Sequence, residues 1–574
     1  MDAMDDQTPL LVGAIDIGTS YSGWAYSFED NMNSIISTGW SSLSCMLTGK
    51  TPTTLLINPD GETLHSFGYE AIRQYSLLPS GDMKKYFYFH HFKMKLYQNV
   101  VDRTLSLNDE TGKSLPAKTV FSLAIKYLMD QMMEAVSKSI ADVIKRNDVM
   151  WVLAIPAIWN DAAKQFMREA AVAAGIEEKK VMIALEPEAA SIFCRLISFR
   201  LMERKIVPFT PGSKYVVIDA GGGTVDISVH EVLEGGNLKE LHEASGGDWG
   251  GTQVDKAFIQ FISDLIGNSL FDKLKKEHLK EYLELLDEFE RSKRSFKNDE
   301  TCARIHIPSK FRQAIQKSKQ GKKMAIDGDY LKVDASKMKD FFSKSIDQIV
   351  AHVNKLIKHP SVKDVSFILL VGGFSMSIFL QDKIMSSFKH TRVIPTVDSD
   401  LAIVKGSVLY GYNPAVIKQR VCKKTYGIGT CRLFDSKEHE TKKQVSYDGI
   451  LYCSDIFDVH VNVGQTLTFN EIQSERTYVP ITENQDSVTL NIYESSDKNI
   501  KYVTDRGCHK LGTITINISD RSVPRQDREV VVSMIFSGTE IKVSAKETRT
   551  GKSQKVCVDF LEWKSELKSS AYWV

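Results

Sequence analysis

The chain has 574 residues, 43% of them hydrophobic, too many for one core and enough for two to four domains. Lysine plus arginine number 73 and aspartate plus glutamate 72, a net charge of +1, so the balance gives no reason to expect nucleic acid or an anionic membrane as a partner. No stretch approaches the ~18 apolar residues of a membrane span, the acidic start Met1-Asp2-Ala3-Met4-Asp5-Asp6 gives no sign of a secretion signal, and eight scattered cysteines without a C-x-x-C pair read as reduced thiols of the cytoplasm, or of the nucleus as well.

Residues 1–9 read as an N-terminal tail, and strand-like and helix-like segments alternate over 10–414. The apolar run Leu10–Ile15 ends in Asp16-Ile17-Gly18-Thr19. His90-His91 has no acid or cysteine at metal-ligand spacing and reads as a packed or surface pair. Apolar residues at helical spacing over Thr119–Arg146 predict a helix, and Asn160 is placed to cap another that ends near Gly175. A second apolar run, Tyr215–Ile218, ends in Asp219-Ala220-Gly221-Gly222-Gly223-Thr224. The basic stretch Lys310–Lys323 has no aromatic series for base stacking and reads as a solvated helix face. A third run, Phe367–Val371, ends in Gly372-Gly373. Strands alternating with long helices predict α/β layers.

After Pro414 the period changes. Residues 415–424 carry Lys418, Arg420, Lys423 and Lys424 and no acid, and read as a basic linker. Period-two runs such as Val488-Leu490-Ile492 and Ile514-Ile516-Ile518, with hairpin signals at Ser537-Gly538 and Thr550-Gly551, predict an all-β sandwich over 425–562. Residues 563–574 read as a C-terminal tail.

The two Asp-x-Gly turns lie 203 residues apart, each after an apolar strand, which suggests two lobes that each offer a phosphate loop to one ligand. Glycines there let backbone N–H groups close on phosphate oxygens, and Thr19, Ser20 and Thr224 add hydroxyl donors. Asp16, Asp219 and Asp226 would repel phosphate directly and make sense around a hydrated Mg²⁺.

At this point the sequence resembles the 70-kDa heat-shock proteins. Leu11–Ser22 is similar to that family's first phosphate motif and Val217–Asp226 to its second. Ile155-Pro156-Ala157 and Leu185–Ala190 resemble the connecting segments, and Gly246–Gly251 the glycine hairpin that follows. Phe289–Arg294 and Leu370–Gly373, with Asp400 downstream, resemble the adenosine-contacting helix and motif. The resemblance implies a two-lobed actin-like ATPase, ribonuclease-H-like in fold, followed by a sandwich-like domain without a helical lid. Departures include Glu188, Phe374, Met376 and Lys297, a basic linker and a divergent C-terminal domain, features similar to the heat shock 70 kDa protein 12A/12B branch.

Carried over by position, the resemblance implies that Asp16 and Asp219 hold Mg²⁺ through water and that Glu186 and Asp226 orient water or metal ligands. Gly18, Thr19, Ser20, Tyr21, Gly221, Gly222, Gly223, Thr224, Gly250 and Gly251 would line the phosphates of ATP or ADP. Glu290 and Lys293 would reach the ribose, and Arg294, Gly372, Gly373, Phe374 and Asp400 would surround the adenine. Lys93, with Lys95 as the alternative, would face the γ-phosphate. The implied function is a monomeric, nucleotide-gated chaperone-like or adaptor protein with slow Mg²⁺-dependent hydrolysis, taking a client protein or peptide on its β domain. An ATP-binding scaffold without turnover and a small-molecule kinase of the same fold remain as alternatives.

Overall fold

The computed structural model describes residues 8–37, 39–41, 47–140, 144–200, 209–396, 398–518 and 522–561. The expected C-terminal tail, 563–574, lies outside the described residues. The chain divides into two compact units, residues 1–229 with 244–413 and residues 230–243 with 414–574.

In the first unit two sheets repeat one plan. Strand β1 (Leu11–Ile17) is buried at every residue, which is why it reads as an unbroken apolar run rather than an alternating one. It pairs antiparallel with β2 (Tyr21–Phe28) and parallel with β3 (Val149–Ile155), and β3 pairs parallel with β4 (Val181–Leu185). In the second lobe β5 (Lys214–Ala220) neighbours β6 (Val225–Val232), which neighbours β7 (Leu238–Gly247); residues 230–243 of these two strands and their turn belong to the second unit. On its other side β5 pairs parallel with β8 (Phe367–Val371), and β8 with β9 (Arg392–Pro395). The orders β4-β3-β1-β2 and β9-β8-β5-β6 therefore match. Asp16 stands opposite Ala154 of β3, and Asp219 opposite Val371 of β8, so both carboxylates close the same position of the repeated plan.

Helices cover these sheets. The long apolar periodicity forms α1 (Ala117–Ile140). Asn160 caps α2 (Asp161–Ala173), its side chain accepting the Ala163 N–H at 2.9 Å, and Gly175 follows at φ 100°. Phe258 of α4 (Gly251–Ile266) stacks on Phe289 of α5 (Leu279–Ser295) at 4.0 Å, and both meet Phe341 of α6 (Ala335–Ile357) edge-on. The basic stretch after Pro308 forms a helix, Ser309–Lys317, that buries Phe311, Ala314 and Ile315 and leaves Lys310 and Lys317 exposed.

Helices α3 (Glu186–Arg200) and α7 (Ala402–Tyr412) cross so closely that Gly406 lies against the Ala189 carbonyl with no room for a Cβ. Ala189, Ala190, Val404 and Val408 are buried around this crossing. At its far end α7 is tied to the first lobe by the Tyr412 hydroxyl, which donates to the Ser27 carbonyl at 2.6 Å.

In the second unit, five strands run in the order β12 (Gln444–Tyr447), β13 (Ile450–Val461), β11 (Thr425–Leu433), β16 (Ser487–Ser495), β17 (Cys508–Asn517). A four-stranded sheet follows the order β15 (Ile472–Tyr478), β18 (Val530–Ser537), β19 (Glu540–Glu547), β20 (Ser553–Cys557). One apolar cluster joins Ile428, Leu490, Ile492, Ile514 and Ile516 of the first sheet to Val530, Val532, Met534 and Val543 of the second, so the alternation read from sequence is a sandwich core. Gly538 and Gly551 take φ 67° and 72°, the left-handed values that hairpin turns ask for.

Within the segment expected as a basic linker, Ile417–Val421 forms strand β10, parallel to β7 through Leu238–Ile417 and antiparallel to β14 (Thr466–Thr468). The Glu240 carboxylate accepts the Val421 N–H at 2.8 Å. A fragment ending at 413 therefore loses the cover of Leu238 and the partner of Glu240, whereas one ending at 424 keeps both. We expect the 1–424 fragment to melt above the 1–413 fragment by several degrees, since burying one such side chain is worth about 1.5–3 kcal/mol. Equal midpoints in thermal melts would mean that β10 contributes nothing to the residues before it.

Candidate functional site

Three glycine-bearing segments of the first unit converge. The turn after β5 closes with the Gly221 N–H on the Thr224 carbonyl at 3.0 Å. The segment that opens α4 docks on this turn: N–H groups of Gly250, Gly251 and Thr252 donate to the carbonyls of Gly223, Gly221 and Gly222 at 3.0, 3.1 and 2.7 Å. A Cβ on Gly222 would strike the Ser20 hydroxyl, and one on Gly223 the Thr19 hydroxyl and the Met94 sulfur. The turn after β1 is as tight, since a Cβ on Gly18 would strike the Tyr21 carbonyl. At Gly18 the close neighbour is backbone, while at Gly222 and Gly223 the side chains of Ser20, Thr19 and Met94 occupy the space a Cβ would take, so the hydroxyls of Thr19 and Ser20 lie on the second glycine turn.

Around this junction sit four carboxylates. Asp16, Glu186, Asp219 and Asp226 are 2%, 7%, 2% and 1% exposed, far below what water would favour for charged groups. Asp226 is held by the Ile158 N–H at 2.8 Å, from the loop after β3. Glu186 opens α3 and accepts from the Lys93 ammonium at 2.6 Å, and Lys93 also stands 5.5 Å over the Trp159 ring. Lys93 is buried and Lys95 exposed, so only the first of the two expected lysines is directed into the site. A second ammonium, missed in the sequence, is that of Lys50, which contacts Asp16 at 2.5 Å with its side chain 11% exposed.

Burial pushes Glu186 up to about 7, Lys93 opposing and Asp16 and Asp226 adding to the rise. Asp219 is driven well above the ordinary aspartate range by burial and by the charges of Glu186, Asp226 and Asp16, against the pull of Lys50. For Lys50, burial alone would lower the value, but Asp16, then Asp400 and Glu186, outweigh it and raise it. Among the described residues no three His, Cys, Asp or Glu lie close enough to hold a metal ion directly. Four carboxylates against two ammoniums, with the buried Asp219 Oδ1 lacking any donor, nevertheless suit a dication reached through its own waters. The residues thus fit hydrated Mg²⁺.

The other expected contacts gather beside α5. Lys293 pairs with Asp255 at 2.6 Å and with Glu290, and donates to the Gly251 carbonyl at 3.3 Å. Burial raises Asp255 to about 6, with Lys293 opposing. The Arg294 guanidinium lies 5.1 Å over the Tyr21 ring. Gly372, at φ 84°, passes Asp219 and the Ala220 carbonyl too closely for any Cβ, whereas Gly373 faces open space. Phe374 is 8% exposed and stacks on Phe342, so its ring belongs to the packing under the loop. A cavity of about 310 Å³ opens next to it, walled by Ser375, Met376, Thr396, Ser399 and Asp400. His90 and His91 stack with ring centroids 3.5 Å apart, and burial pushes His90 down to about 4.

The family model described as Hsp70 protein matches residues 88–569. Heat shock 70 kDa protein 12A of Mus musculus is 34% identical over 97% of this chain and 93% of its own length, and the Homo sapiens protein of that name 33% over the same shares. Heat shock 70 kDa protein 12B of Homo sapiens is 31% identical over 96% of this chain and 91% of its own. With that match across most of its length and a repeated two-lobe plan, the chain belongs to the 70-kDa heat-shock protein family, a family that binds nucleotide.

Proposed function

We propose that this chain binds Mg·ATP at the junction of the three glycine segments and hydrolyses it slowly, using the nucleotide state to gate a chaperone-like or adaptor function of its β sandwich. The observation that carries this reading is the meeting of Thr19 and Ser20 with Gly222 and Gly223 over four buried carboxylates and the buried Lys93. Mg²⁺, when bound, supplies positive charge to the phosphates. Asp16 and Asp219 would hold it through water, and Glu186 and Asp226 would orient water near it. The hydroxyls of Thr19, Ser20 and Thr224 would donate to phosphate oxygens, with backbone N–H groups of the glycine turns beside them. Arg294 with Tyr21, and Glu290 with Lys293, would hold the nucleoside end. Phosphoryl transfer is mostly positioning and charge stabilisation, and Lys93 is the cation whose burial makes it effective for that.

Titration of Mg·ATP into the full chain by calorimetry should give saturable one-site binding. Nucleotide at a hundred times its dissociation constant should raise the stability by about 2.7 kcal/mol. Phosphate release should proceed without any sugar or acid acceptor and change rate when a client peptide is added. No heat of binding and an unmoved melting midpoint would refute the reading.

A further inference from the structure

Between Asp30 and Asp60 the sequence has a single charged residue, Lys50. That one charge is almost wholly withdrawn from water, on Asp16 Oδ2 at 2.5 Å. The backbone aims it there: Thr51 pairs with Ser22 and Pro52 with Tyr21 of β2, and the Thr48 hydroxyl donates to the Lys50 carbonyl at 2.8 Å. Gly23, which stands opposite Asp16, leaves space for the stem, since a Cβ there would lie 3.0 Å from Lys50 Cγ. The charges of Asp16, Asp400 and Glu186 all act on this ammonium, and it acts in turn on Asp219.

We propose that Lys50 is a built-in counterion of the phosphate site, a tethered cation that supplies part of the positive charge a divalent metal would bring, so that the chain holds a nucleoside triphosphate with little dependence on that metal. This rests on the nucleotide-binding reading above. An ammonium that neutralises Asp16 removes the repulsion this carboxylate would exert on a polyphosphate. A metal ion adds less to binding when one site charge is already cancelled.

The test is ATP binding to the full chain, by calorimetry, in Mg²⁺ and again in EDTA. The wild type should weaken less than about tenfold when the metal is removed. Lys50→Met should weaken about a hundredfold in EDTA, the scale of one charged hydrogen bond, and recover most of its affinity in Mg²⁺. Lys50→Arg, which keeps the charge, should follow the wild type. A wild type that loses more than about a hundredfold in EDTA overturns the proposal, as does a Lys50→Met chain with the wild-type ratio. Should Lys50→Met fail to fold in a melt, the wild-type and Lys50→Arg ratios decide. A wild type that binds no ATP even in Mg²⁺ overturns the nucleotide reading along with this one, a result distinct from normal binding with strong metal dependence.

Discussion

Lys93→Ala should slow single-turnover ATP hydrolysis by about 10²–10³-fold, while Lys95→Ala leaves it near the wild-type rate. As the γ-phosphoryl group leaves, charge spreads over its oxygens, and a fixed ammonium in a site sheltered from water stabilises that charge more than it stabilises bound ATP. Lys93 is 3% exposed and anchored on Glu186 at 2.6 Å, whereas Lys95 points to solvent. The same substitution leaves Glu186 buried without its partner, which should cost about 3–5 kcal/mol in the ligand-free melt. Equal single-turnover rates for both alanine variants and the wild type would remove Lys93 from the chemistry and favour an ATP-binding scaffold.

Asp16→Asn and Asp219→Asn should each weaken Mg·ATP by no more than about tenfold, the ceiling set by removing the metal they hold through water, yet move the ligand-free stability in opposite directions. Asp219 has a buried oxygen without a donor and a value raised well above normal. Its folded form therefore holds its proton to higher pH than its unfolded form. It follows that stability falls as pH rises from the ordinary aspartate range towards that raised value. Asparagine removes this penalty, so Asp219→Asn should melt above the wild type at pH 8 and show a flatter melt-versus-pH curve. Glu186 contributes a slope of the same sign between its ordinary 4.5 and about 7, and it persists in the variant. Asp16 is different because it neutralises Lys50. Asp16→Asn leaves a buried ammonium unpaired and should destabilise by about 3–5 kcal/mol. Melts of both variants at pH 5.5 and 8 in EDTA check this; a shift of the same sign in both would sink the charge assignment.

What could be read in the sequence was what local chemistry specifies. Asp16 and Asp219 follow apolar strands and precede glycines that a close backbone approach demands, so both turns announced themselves. The inward positions of β16 to β19 were readable because a half-buried strand alternates with period two. Lys50 was not readable as a site residue. It belongs to no glycine motif, and its partner Asp16 stands 34 positions earlier, brought near only by the pairing of Thr51 with Ser22. The one signal was its isolation, a single charge in an otherwise uncharged stretch. Strand β10 was hidden for a related reason. Alternating lysine and arginine look like a linker until Leu238, some 180 residues earlier, is seen to need cover.

The contact of Gly406 with the Ala189 carbonyl is placed to serve as a fulcrum should the lobes move. Both helices there connect the lobes: α3 starts at Glu186 after the last strand of the first sheet, and α7 comes from the second and ends tied to Ser27. Sliding them apart would wet Ala189, Ala190, Val404 and Val408, whereas swivelling about the contact keeps all four dry. On the proposed nucleotide-gated reading, drawing the glycine turns together would work a lever pinned at this contact. Even a methyl group at position 406 would be a wedge under that lever, felt at the phosphates without touching them.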